Sequence, residues 1–131
     1  MVERGGKVVA RKIADCKSKT LMENVKHYVL PKSTIYTDEL KAYGGIGNMR
    51  NGYNHQRINH STGVYVMGDV HTNTIEGFWS LVKRGIGGTH HMVSEKFLQE
   101  YLNEYAFRYN NRKVPAPMFK LILDQVAEKA E

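Results

Sequence analysis

Glu76 and Lys83 stand seven residues apart in the segment from His71 to Gly88. Seven residues make nearly two helical turns, so a helix there carries both on one stripe with Ser80 between them. At about 1.5 Å of rise per residue their Cα atoms lie roughly 10 Å apart, too far for the ion pairs made at three or four residues' spacing. A carboxylate and a cation so placed can serve a body outside the helix. Asp38 and Glu39 are a second place for chemistry, because the β-branched and aromatic run 33–37 reads as a strand that delivers them at its carboxyl end. Each of these acids also has a structural reading. Glu76 lies three residues after Asn73 and completes a capping box, worth on the order of 1 kcal/mol with its cap. Acids after a strand are common turn formers. Six histidines, among them His55, His60, His71, His90 and His91, lack a His-Glu-x-x-His or comparable spacing and read as loop residues. The run Gly44, Gly45, Ile46, Gly47 lacks the Gly-Lys-Ser/Thr ending of a phosphate loop.

The elements that must position these residues follow from periodicity. Residues 73–85 predict a helix with Ile75, Phe78, Trp79 and Val82 on its core face, Asn73 as N-cap and Gly85 as stop. Trp79 on that face reads as core. Upstream, residues 7–13 alternate as a strand, and Thr20 with Glu23 caps a helix in which Leu21, Val25, Tyr28 and Val29 keep helical spacing as far as Pro31. Residues 40–43 suit one helical turn closed by the glycine run. Residues 55–60 suit a short strand, and 62–70 an irregular loop. Ser94 caps a long helix through Leu98, Tyr101, Leu102, Tyr105 and Tyr109 to about Arg112. Pro115 and Pro117 then break the chain before a last amphipathic helix with Met118, Leu121, Ile122 and Val126.

Composition bounds the class. A chain of 131 residues is expected to form one domain with a real core. Nineteen Lys and Arg against thirteen Asp and Glu leave a net charge of +6, which favours a polyanionic partner. Residues 1–32 carry nearly all of that surplus. The single cysteine, Cys16, excludes an internal disulfide framework and a cysteine zinc site, and agrees with a reducing compartment. With no apolar leader and no run of eighteen apolar residues, the expectation is a soluble cytoplasmic protein with no membrane partner. The sequon at Asn59 is then a chance match.

Two strings carry a resemblance. Tyr36-Thr37-Asp38-Glu39, followed by Tyr43, resembles the second-aspartate segment of the ISXO-like group of bacterial insertion-sequence transposases. The string from His71 through Asn73, Glu76, Trp79 and Lys83 to Gly85 resembles the same group's third-acid segment. The likeness continues through Thr89-His90-His91, Tyr101-Leu102-Asn103-Glu104-Tyr105 and Phe107-Arg108-Tyr109-Asn110. It spans nearly the whole chain, and the long central string is its specific part.

The resemblance implies an α/β, RNase H-like fold: strand, helix, strand, an irregular segment with a short strand, the central helix, then C-terminal helices. It implies DDE-type strand cleavage and strand transfer on DNA at transposon ends, with two magnesium ions held by hard oxygen ligands. Asp38 would be the second acid and Glu76 the third, with Asn73 the alternative for the third position. Lys83, with Arg84 beside it, would contact DNA phosphate. A homo-oligomer is compatible with this reading. The family's first aspartate lies on a strand upstream of the one placed at 7–13. Residues 1–131 are therefore expected to be the downstream part of the catalytic domain, an inactive fragment in which the strands at 7–13 and 34–37 each lack a neighbour and leave backbone groups unpaired. The alternative is a noncatalytic DNA-binding or inhibitory remnant. A histidine-metal nuclease using His90 and His91 is a third reading.

Overall fold

A computed structural model of the chain describes residues 1–58, 73–90 and 92–130. The elements are α1 (Ser18–Tyr28), β1 (Thr34–Thr37), a 3₁₀ helix (Lys41–Asn48), β2 (Asn54–Arg57), α2 (Asn73–Gly85) continued by a π-helical turn (Ile86–His90), a 3₁₀ turn (Glu95–Phe97), α3 (Leu98–Asn110) and α4 (Met118–Ala130). Helices with a small parallel sheet make this a mixed α/β chain. The sheet is β1 beside β2, pairing Thr34 with Asn54 through Thr37 with Arg57. The expected loop at 62–70, together with Asn59, His60, His71 and His91, lies outside the described residues.

Two compact units divide the chain: Lys12–Gly77, and Met1–Arg11 with Phe78–Glu131. In the first, Val25, Ile46 and Tyr53 form the buried centre, with Ile35 and Tyr43 packed against it. Ile46 is fully buried, which explains why the glycine run is not a loop. The helical turn continues through it to Asn48 so that Ile46 can reach the core. The capping box predicted at Thr20 does not form. Helix α1 begins two residues earlier, at Ser18. The Thr20 hydroxyl instead donates to Asp15 Oδ1 at 2.7 Å, and the same oxygen accepts the Lys17 N–H at 3.0 Å. These two bonds hold the Asp15 carboxyl below its ordinary range, Thr20 contributing most.

In the second unit Val8, Ala10, Phe78, Val82 and Leu102 form the core. Residues 7–13 are not a sheet strand, contrary to expectation. Val8 makes one antiparallel bridge to Val2, and the Val9 N–H donates to the Met1 carbonyl at 2.9 Å. Further backbone groups, at Val8 and Ala10, are met by side-chain amides of α3. Asn110 accepts the Val8 N–H at 2.7 Å and donates to the Val8 carbonyl at 3.0 Å. Gln99 donates to the Ala10 carbonyl at 3.1 Å. An amide carries one donor and one acceptor edge, as a peptide group does, so α3 takes the place of a neighbouring strand. The unpaired backbone expected at Val8 is therefore absent.

Helix α2 also departs from expectation. Phe78 and Val82 are buried, but Trp79 is 38% exposed. Gly85 is not a stop, because the helical backbone runs on to His90. Gly85 instead lies against the Tyr105 ring, where an added Cβ would collide with the phenol. Phe78, Val82 and Gly85 follow at four and three residues, so their common stripe faces the core and Trp79 rolls to its edge.

The last two helices form close to their predicted positions. Ser94 precedes the short 3₁₀ turn and makes no side-chain cap bond. In α4, Met118 and Leu121 of the predicted apolar face are half-buried while Ile122 and Val126 are exposed, as are Phe119 and Leu123, so the helix forms with that face covered only in part.

Candidate functional site

Asp38 follows β1 directly. Its Oδ1 accepts the Leu40 N–H at 3.1 Å, the two-residue turn that a short carboxylate makes readily. The Thr37 hydroxyl donates to the Asp38 carbonyl at 3.0 Å and lies 2.8 Å from His55 Nε2. The Thr37 hydroxyl and His55 Nε2 share a hydrogen bond whose donor is set by the His55 tautomer. Strand pairing brings the two together, since His55 lies on β2, paired with β1 up to Thr37. Burial pushes the His55 pKa down, and the Arg57 cation adds to the shift. The Tyr43 hydroxyl is pushed up, first by burial and then by the negative charges of Asp38 and Cys16. Asp38 and Glu39 themselves are exposed.

Helix α2 carries the other predicted residues. Glu76, Ser80, Lys83 and Arg84 are all exposed, opposite buried Phe78 and Val82. Asn73 opens the helix. Asp38 and Glu76 belong to one unit, Lys83 and Arg84 to the other. Carboxylates at these positions are hard oxygen donors of the class magnesium takes. Among the described residues no group of three or more His, Cys, Asp or Glu is close enough to hold a metal ion. The described donors thus fit magnesium in kind and do not make a closed set.

The comparisons with known proteins decide the family. The profile of the ISXO2-like transposase domain matches residues 1–110, which include both acids, all of α2 and all of α3. The chain belongs to this family. An uncharacterized transposase-like protein of Haemophilus influenzae is 31% identical over 108 residues, covering 82% of this chain and 85% of that one. An uncharacterized protein in the transposable element ISH50 of Halobacterium salinarum is 36% identical over 75 residues, 57% of this chain but 25% of its own length. No solved structure matches. Helix α4 lies beyond the residues that the ISXO2-like transposase profile covers. Among the described residues no helix is long and apolar enough to cross a membrane.

Three contributors escaped sequence reasoning. Asn110 and Gln99 act on backbone about ninety or more residues away, and no local pattern signals that. His55 was legible as a histidine at the start of a short strand but not as the partner of Thr37, because strand pairing brings the two together.

Proposed function

We propose that this ISXO2-like transposase domain is an RNase H-like catalytic region acting on DNA at transposon ends. Asp38 and Glu76 are two of the carboxylates that hold magnesium, with Asn73 the alternative to Glu76. Lys83 and Arg84 hold the DNA backbone. Bound magnesium would activate the attacking oxygen and stabilise the leaving one. The chain's own residues position it: the Thr37 and His55 bonds fix the turn that presents Asp38, and the core contacts of Phe78 and Val82 orient α2. The observation that carries the reading is α2 itself, inside the family match, with its acid and its cations all on the exposed side.

The test has two readouts. Manganese, used as a magnetic probe for magnesium, should bind the chain, and Asp38→Asn should weaken that binding. Glu76→Gln and Asn73→Ala, compared side by side, assign the third position to the one that weakens it. Manganese binding indifferent to all three substitutions would remove the metal assignment. Lys83→Gln should weaken binding to any DNA sequence and lower the salt slope by about one, because each phosphate contact releases counterions without reading bases. An unchanged slope would remove Lys83 from the DNA surface.

A further inference from the structure

We propose that the Trp79 indole is a stacking platform for an unpaired DNA base, seated beside the phosphate that Lys83 holds; this rests on the DNA reading above and names what that surface takes. Trp79 belongs to the apolar periodicity of α2, yet it is 38% exposed while its neighbour Phe78 is 1% exposed. Phe78 meets Trp79 edge-on, with centroids 5.3 Å apart and planes at 61°. It therefore braces one part of the indole and leaves the rest outward.

Lys83 is one turn further along, and residues four apart on a helix are neighbours. Arg84 follows it. An apolar ring with a cation one turn along the helix is charge-complementary to a polyanion that also presents flat apolar faces. Nucleic acid has both, and base stacking on aromatic rings is tolerant of sequence because every base offers a π-face. A base inside a duplex is already covered on both faces by its neighbours. The ring can therefore serve only a base that has left the stack. Strand cleavage and joining create such bases at cut ends.

Trp79 is the single tryptophan, so emission excited beyond tyrosine absorption reports this ring alone. The full chain is titrated with a short oligothymidylate and, separately, with a relaxed, covalently closed duplex minicircle that has neither free ends nor loops. Filter binding of labelled DNA gives occupancy in each case. Expected is quenching of Trp79 emission at saturation by the single strand and not by the minicircle. Trp79→Ala should lower single-strand affinity roughly five- to hundredfold and leave minicircle affinity unchanged, whereas Trp79→Phe should retain most of the single-strand affinity. The quenching needs no variant, so a folding defect in Trp79→Ala cannot hide the answer. Both DNAs binding with unchanged emission would overturn the stacking role and leave the DNA reading intact. So would an equal loss of both affinities in Trp79→Ala. A concentration-dependent emission change without DNA would assign the ring to contact between copies and overturn the proposal. Failure of both DNAs to bind would overturn the DNA reading and the proposal together.

Discussion

At the scale of single residues, Asn110 shows how one side chain can complete a backbone. Val8 is 3% exposed, and both of its peptide groups are met by the Asn110 amide. Asn110→Leu should cost about 1 to 3 kcal/mol for each group left unpaired, read as a lower urea midpoint. Asn110→Ser, too short to reach both groups, should fall between the wild type and Leu. Equal stability of all three would mean that water satisfies Val8. Trp79→Ala, by contrast, should cost well under the roughly 3 to 5 kcal/mol of a fully buried ring, since the indole is partly in water. His55 gives a pH dependence with a definite sign. Its folded pKa is depressed, so its contribution is fully present above the unfolded value of about 6.5 and is lost as pH falls through the folded one. The urea midpoint should drop between pH 7 and pH 5, and His55→Gln should flatten part of that drop. A pH profile identical in the variant would show that other groups carry it.

At the scale of elements, α2 is set by a contact that opposes helix propensity. Glycine inside a helix costs about 1 kcal/mol relative to alanine, so Gly85→Ala would stabilise an isolated helix. Here the added Cβ meets the Tyr105 ring, a rigid group rather than a flexible chain end. Overpacking costs about 1 to 3 kcal/mol, which equals or exceeds the propensity gain. Gly85→Ala is therefore expected to be neutral to destabilising. Combining it with Tyr105→Leu, which removes the ring, should restore part of the loss. Additive effects in that double-mutant cycle would show that the two residues do not meet. The same contact explains the roll of α2. With Tyr105 pressed against Gly85, the helix buries the stripe through Phe78 and Val82 and turns Trp79 toward solvent.

At the scale of the whole molecule, the chain is a member of a transposase family, and the acids and cations of the candidate site sit on local elements, so where they lie and that they are exposed was legible. Asp38 at a strand end, and Glu76, Ser80, Lys83 and Arg84 on the polar side of α2, follow from alternation and from the 3.6-residue period, which depend only on neighbours in sequence. The placement of β1, α2, α3 and α4 was legible for the same reason. What periodicity cannot specify is the partner of each buried face. Residues 7–13 alternate like a strand, but Val8 and Ala10 bond to Asn110 and Gln99, residues remote in sequence. Thr20 and Glu23 have the spacing of a cap, but the Asp15 carboxylate moves the helix start to Ser18. Gly85 has the composition of a stop, but Tyr105 makes it a contact. Sequence by itself determined which residues can be polar sites and which segments are helical, because both are local free energies. Tertiary structure alone decided which apolar residues are covered, because burial depends on what arrives from elsewhere in the chain, and it left Trp79 outside.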